Sequence, residues 1–287
     1  MGELIKSAFT ILYGILHVLN ALYQRFIGFL SKVYIPYQFR PLIIGTYARW
    51  HKTKMDEAIE PDLHFYPSLS DWFGRPLKPE LRPISDAELV SPTDGEVMQL
   101  GEVENFRICE VKGYDYDIRD FLGPVDFKTT PGMRLYMCVI SLWPGNYHCF
   151  HSPTNWKVKE IVNIPGKKTL IQGSVFRFFP RILKEDERVV LSGEWKYGYF
   201  SMIPVAALEV GNIVVYTNPV DDVAEIFTTE HRKYDPPIEY KNGQKVGEYK
   251  FGSTMVLVFE APRNYRFTFK CGEVIKYGQQ LMQEEHY

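Results

Sequence analysis

Residues 188–207 read RVVLSGEWKYGYFSMIPVAA. Apolar, β-branched and aromatic residues fill both halves, with turn chemistry between them, which is the pattern of paired strands. The same pattern recurs outward in both directions. Upstream it appears in AELVSPTDGEVMQLGEV (87–103), RICEVKG (107–113), MRLYMCVISLWP (133–144) and KVKEIVNI (157–164). Downstream it appears in GNIVVYTN (211–218), STMVLVFEAP (253–262) and YRFTFKCGEVIKYG (265–278). Strands dominate from Ala87 onward, and no regular βαβ alternation intervenes. The expected fold class is therefore α+β, with a predominantly antiparallel β sandwich or barrel-like core following N-terminal helices. Residues 228–247 are polar and hold Pro236, Pro237 and Gly243, so they read as a loop.

The chain has 287 residues, enough for one large or two ordinary domains. Its net charge of −2 excludes a global field suited to nucleic acid. Four cysteines, Cys109, Cys138, Cys149 and Cys271, form no CxxC pair, so neither a zinc ribbon nor a redox motif is indicated. Aromatic residues make up 15% of the chain, which fits β structure or contact with a membrane or apolar ligand.

The first thirty residues raise a membrane question. Ala8 to Gln24 carries no formal charge, near the lower length limit for a spanning helix, and Arg25 interrupts it. On a helical wheel Lys6, Thr10, Gly14, His17, Asn20, Gln24 and Gly28 form one narrow polar stripe. A wide apolar face with such a stripe suits a helix lying in the bilayer interface, and equally one buried in a protein core. The reading adopted is a membrane-associating helix over 1–35, with interfacial preferred to spanning. Neither a secretory cleavage pattern nor an Arg- and Ser-rich transit peptide is evident. MGELIKS departs from a myristoylation signal at Lys6. Pro36 and Pro41 are expected to end this helical region. Residues 36–86 form a helical and connector segment, with short helices in 41–59 and at SLSDWF (68–73). Trp72 and Phe73 read as buried, or as a minor addition to a docking surface. The β-rich catalytic domain is expected over 87–287.

Three short motifs carry chemistry. SPTDG sets Asp94 before Gly95, which on its own also reads as a hairpin turn. WPGNYHCFHSP holds His148 and His151, fenced by Pro144, Gly145 and Pro153, so a long helix presenting both to a metal is not expected. Lastly, Gly252-Ser253-Thr254 stands at the mouth of a strand. A serine is a poor nucleophile until a base takes its proton. A histidine oriented by an aspartate is the recurring source of that base.

Together and in this order, SPTDG, YHCFHSP and a Gly-Ser-Thr step before the last strands resemble the phosphatidylserine decarboxylase family. LWPGNYHCFHSPTNWKV and RVVLSGEWKYGYFS are similar to its eukaryotic mitochondrial type, and the resemblance runs from about Pro41 to the C-terminus. It implies that Ser253 attacks the carbonyl of Gly252 and that the chain cuts itself into 1–252 and 253–287. Ser253 would become a covalent pyruvoyl group, the pyruvate-derived cofactor for converting phosphatidylserine to phosphatidylethanolamine and CO2. It further implies that His151 is the base of self-cleavage and that Asp94 orients it. His148 would serve the acid–base step of decarboxylation. The implied partners are a phospholipid membrane, the two cleaved chains held as a non-covalent heterodimer, and a homodimer as an option. The implied location is the mitochondrial inner membrane, with lipid droplet or endoplasmic reticulum open. Two positions depart from the family pattern: Phe251 where leucine is usual, and Asn146 where aspartate is common. The rival reading is a membrane-associated lipid esterase using the same Ser, His and Asp without self-cleavage. The absence of a GxSxG elbow counts against its usual form.

Overall fold

The computed structural model describes residues 26, 28–108, 116–165, 187–206, 213–218, 223–225, 231–250 and 253–285. In chain order the strands are β1 (Gly95–Glu102), β2 (Arg107–Ile108), β3 (Tyr116–Asp117), β4 (Arg134–Leu142), β5 (Cys149–His151), β6 (Trp156–Ile164), β7 (Arg188–Trp195) and β8 (Gly198–Ala206). They continue as β9 (Ile213–Asn218), β10 (Val223–Glu225), β11 (His231–Tyr240), β12 (Lys245–Tyr249), β13 (Ser253–Ala261), β14 (Tyr265–Phe267), β15 (Val274–Ile275) and β16 (Met282–Glu284). Among the described residues, 28–32 are helical, and the helices bounded at both ends are α1 (Arg40–Trp50), α2 (Leu69–Phe73) and α3 (Ile118–Leu122).

The main sheet has eight strands in the order β11-β6-β7-β8-β13-β4-β1-β15, and every pairing is antiparallel. A second sheet runs β10-β9-β12-β5. No sheet closes among the described residues, so the α+β antiparallel expectation holds but the barrel-like one does not. Strand β13 lies inside the main sheet, between β8 and β4. All nine of its residues are buried. Met255, Leu257 and Phe259 point into a core shared with Phe150, Val215 and Val246 of the second sheet. Val256 and Val258 point the other way, against Ile118, Phe121 and Leu122 of α3. A strand covered on both faces needs a continuous apolar run, which is what STMVLVFEAP supplies. Each such buried Leu or Val contributes about 1.5–3 kcal/mol.

Two local expectations are corrected. Residues 228–247 are not one loop: they hold β11 and the start of β12. Strand β11 is the outer edge of the main sheet, and its register slips between Lys233 and Ile238, around Pro236 and Pro237. Proline, which cannot donate to a ladder, is accommodated at such an edge. Pro41 does not end a helix; it sits in the first turn of α1, where its missing N–H costs nothing. The expected helix at SLSDWF is α2, capped by the Ser68 hydroxyl, which accepts from the Asp71 N–H. Trp72 and Phe73 are fully buried, in a small core with Ile44 and Tyr66. Most of the proposed membrane helix, residues 1–25 and 27, lies outside the described residues. Among those described, no helix is long and apolar enough to cross a membrane.

Candidate active site

The three motifs meet through strand register. Ser253 opens β13, opposite Leu142 at the end of β4 and Ala206 at the end of β8. Gly95 opens β1 on the far side of β4, and Glu96 lies opposite Ser141. Asp94 and Ser253 thus stand at the same end of the sheet, with β4 between them. Gly95 belongs to this strand rather than to a hairpin turn. A Cβ there would lie 2.6 Å from the Ser141 carbonyl oxygen, so only glycine lets β1 approach so closely. Beyond Leu142 the chain runs through Pro144 and Gly145 to His148 and β5. Tyr249, at the end of β12, ties this segment to the serine strand. Its N–H donates to the His148 carbonyl (2.8 Å) and its hydroxyl to the Thr254 carbonyl (3.0 Å).

Asp94 is buried and fully engaged. Arg82 grips it with two bonds, Nε to Oδ1 (3.0 Å) and Nη2 to Oδ2 (2.6 Å), while the Tyr277 N–H donates to Oδ1 (2.9 Å). Arg82 Nη2 also donates to Glu57 Oε2 (2.6 Å). Burial pushes the Glu57 carboxyl up, but the hydrogen bond and charge of Arg82 outweigh it and hold it below its ordinary range. Burial alone would lower Arg82; its two carboxylate partners raise it instead. A bidentate guanidinium–carboxylate pair is the geometry in which a buried charge is tolerated.

His151 is buried on β5. Its Nδ1 lies 3.0 Å from the Gly243 carbonyl, which can only accept, so Nδ1 carries the proton. Nε2 is then the basic nitrogen, and it accepts from the Tyr147 hydroxyl at 2.9 Å. The ring stacks on Tyr277, centroids 3.8 Å apart and planes 18° apart. Burial pulls its pKa down to about 4, against the opposing Gly243 bond. His148 is wholly buried and donates from Nδ1 to the Asn146 carbonyl (2.9 Å). Phe73 meets its ring edge-on at 4.8 Å. Burial lowers its pKa to about 3. Both histidines are therefore neutral at physiological pH, the form in which imidazole is a base.

The loop that carries His148 is held from the N-terminal segment. Arg75 Nη2 donates to the carbonyls of Gly145 (2.9 Å) and Asn146 (3.0 Å), and its guanidinium lies 4.6 Å from the centroid of the Trp72 ring. Gly145 packs so closely that a Cβ would sit 2.3 Å from the His51 carbonyl oxygen. Among the described residues, His148 Nε2 and Ser253 Oγ are buried without a hydrogen-bond partner, as are Arg75 Nε and Thr53 Oγ1 beside the Gly145 loop. Leaving such a group unpaired costs about 1–3 kcal/mol, so each needs an explanation, and a reacting role is one.

All four expected site residues, Asp94, His148, His151 and Ser253, are thus buried at one end of the sheet. The expected Asp–His contact is not a hydrogen bond: Asp94 bonds Arg82 and Tyr277, His151 bonds Gly243 and Tyr147, and Tyr277 touches both. Gly252 lies outside the described residues. Glu57, Arg75, Arg82 and Tyr277 were not singled out from the sequence. Glu57, Arg75 and Arg82 sit in the helical and connector segment, and Tyr277 at the end of a segment read only as a strand, none in a motif of its own. Tyr147 lay inside a quoted motif, and its place directly before His148 was the only signal.

Buried neutral imidazoles at the same end of the sheet as a buried serine hydroxyl are equipment for moving protons at a serine. Comparison with known proteins narrows the class. The family model for phosphatidylserine decarboxylase matches residues 69–283. A mitochondrial phosphatidylserine decarboxylase proenzyme of Caenorhabditis elegans is 41% identical over 266 residues, covering 90% of this chain and 70% of that protein. The Cricetulus griseus mitochondrial proenzyme is 36% identical over 293 residues, covering 91% and 71%. The Saccharomyces cerevisiae mitochondrial proenzyme 1 is 28% identical over 359 residues, covering 92% and 72%. The chain belongs to the phosphatidylserine decarboxylase family and is a carboxy-lyase.

Proposed function

We propose that this chain decarboxylates phosphatidylserine to phosphatidylethanolamine after cutting itself between Gly252 and Ser253. The observation that carries the reading is Ser253 itself: a buried hydroxyl without a hydrogen-bond partner among the described residues, at the first residue of a strand paired on both sides. In the first step the Ser253 hydroxyl loses its proton to His151 as the base, at the Nε2 that the Tyr147 hydroxyl meets at 2.9 Å. Oγ bonds to the Gly252 carbonyl carbon, the carbon–nitrogen bond breaks, and the Ser253 nitrogen takes up a proton. Loss of the Ser253 Cα proton then breaks the Cβ–Oγ bond, and Gly252 leaves as a carboxylate. Tautomerisation at residue 253 and attack by water release ammonia and leave a pyruvoyl carbonyl. Strand β13 stays in place because β4 pairs with all nine of its residues and β8 with seven. Chains 1–252 and 253–287 therefore remain a non-covalent heterodimer.

Residue 253 fits that group: it is buried, it opens a fixed strand, and its polar atom has no competing partner. The pyruvoyl carbonyl supplies an electron sink for the carbon that loses CO2. His148 Nε2, neutral and unpartnered, accepts a proton from the substrate ammonium and returns one at the α-carbon. Phe73 and the closed loop around Asn146 keep water from it.

The substrate stays in a bilayer, so the protein needs a docking surface. We assign that role to residues 1–35 together with the outer face of α1. The relatives compared above are named mitochondrial, which supports placing the chain in mitochondria; the inner membrane is the part of the reading that the family resemblance alone implies. The lipid-esterase reading gains nothing from the relatives, which are named decarboxylase proenzymes. Phosphatidylserine vesicles labelled at the serine carboxyl separate the two. Wild-type protein is expected to release labelled CO2 and no fatty acid, and Ser253→Ala to release neither. Fatty acid release without CO2 would overturn the proposal.

A further inference from the structure

We propose that Tyr277 is the positioning residue through which Asp94 acts on His151, and that the base is therefore held by both product chains at once. The inference rests on the self-cleavage reading above, since it is cleavage before residue 253 that puts Tyr277 on the short chain. Three contacts converge on this one side chain and its peptide. Its N–H is fixed by Asp94 Oδ1 (2.9 Å). Its ring lies flat against His151. Its hydroxyl donates to the Gly243 carbonyl (2.8 Å), the same oxygen that receives the His151 Nδ1 proton. Asp94 thus sets where the Tyr277 backbone sits, the ring sets the plane of the imidazole, and the shared carbonyl fixes which nitrogen is protonated.

The groups that face His151 are few. Tyr147 lies on Nε2, Gly243 on Nδ1 and Tyr277 on one ring face. Lys245 stands opposite in the β12–β5 register, and its ammonium is engaged by Glu248 (2.9 Å) and opposes a second positive charge on the imidazole. Asp94 and Arg82 lie behind Tyr277. Tyr277 is the one member of this group C-terminal to the cleavage point. Long-chain residues Asp94 and Gly243 hold it at the backbone and at the hydroxyl, so the contact survives cutting of the chain between them.

The test uses the full chain made by cell-free synthesis and transferred to buffers between pH 5 and 9, with self-cleavage followed by intact mass. Wild type is expected to cleave at a pH-independent rate, because His151 stays neutral throughout. Tyr277→Leu opens the imidazole to water; the rate is expected to fall by about tenfold or more, with a new inflection between about pH 5 and 7. Asp94→Asn is expected to move the profile in the same direction. Tyr277→Phe keeps the stacked ring and the peptide N–H, and is expected to restore a flat profile at a rate within about threefold of wild type. In parallel, the uncleavable Ser253→Ala chain allows His151 to be titrated by NMR, where Tyr277→Leu is expected to raise its midpoint. If the leucine variant does not melt cooperatively, Tyr277→Met takes its place with the same expectations. A Leu or Met variant that cleaves at the wild-type rate with a flat profile would overturn the proposal. Failure of the wild-type chain to cleave, or cleavage of Ser253→Ala, would instead overturn the self-processing reading beneath it.

Discussion

At the scale of residues, the site is built from charges that are paired and imidazoles that are not. Asp94 is held in the interior by Arg82, which meets it with two bonds, and Glu57 takes the remaining reach of the same guanidinium. His148 and His151 are neutral because burial disfavours their charged forms, to about 3 and about 4. That has a consequence for stability. Both folded-state values lie below the ordinary 6.5, so as pH falls the unfolded chain takes up protons first. The stabilisation is complete above about pH 6.5 and is lost progressively as pH falls toward the folded values. Denaturant melts of the Ser253→Ala chain are expected to show a loss of up to about 4 kcal/mol between pH 7 and 5, from the two histidines together. Equal stability at the two pH values would mean that the imidazoles titrate normally. The four expected site residues were legible in the sequence because they sit in short motifs with recognisable turn chemistry. Their supports were not legible. Tyr277 reaches His151 only because β15 pairs with β1, and Arg82 reaches Asp94 only because a proline-rich connector folds back. Contacts of that kind belong to the tertiary fold and leave no periodic trace.

At the scale of elements, strands with one clear pattern were readable and strands with a mixed pattern were not. β4, β7, β8 and β13 fall within segments read as strands, and β6 begins one residue before its segment. β11 was read as loop because it is largely exposed, polar and proline-bearing, which an edge position allows and a central one would not. α1 shows a different irregularity. Ile44 and Ala48 pack inward, yet the outer face carries Leu42, Ile43 and Trp50, the last 79% exposed. Phe29, Tyr34 and Phe65 are also exposed, on the segments that flank α1. Exposed apolar and aromatic side chains with Arg49 and Lys52 alongside suit an interface with anionic lipid. Replacing Leu42 and Trp50 by Ser is expected to weaken sedimentation with phosphatidylserine vesicles by about tenfold or more, with little change in the thermal melt. Unchanged vesicle binding would assign docking elsewhere.

At the scale of the whole molecule, the fold answers how a chain can be cut at its active site and survive. The bond before Ser253 lies where the chain enters the main sheet, and the strand beyond it is bonded on both sides and buried on both faces. Residues 265–284 then return along the sheet, placing Tyr277 against Asp94 and His151. The segment after the cut is thus a central strand plus a clasp, held by burial rather than by the peptide bond. The most direct test is intact mass spectrometry of purified wild-type protein beside Ser253→Ala. Cleavage is expected to yield chains 1–252 and 253–287, the second beginning with a pyruvoyl group in place of serine, while the variant stays whole. A single unbroken chain in wild-type protein that decarboxylates phosphatidylserine would contradict the account.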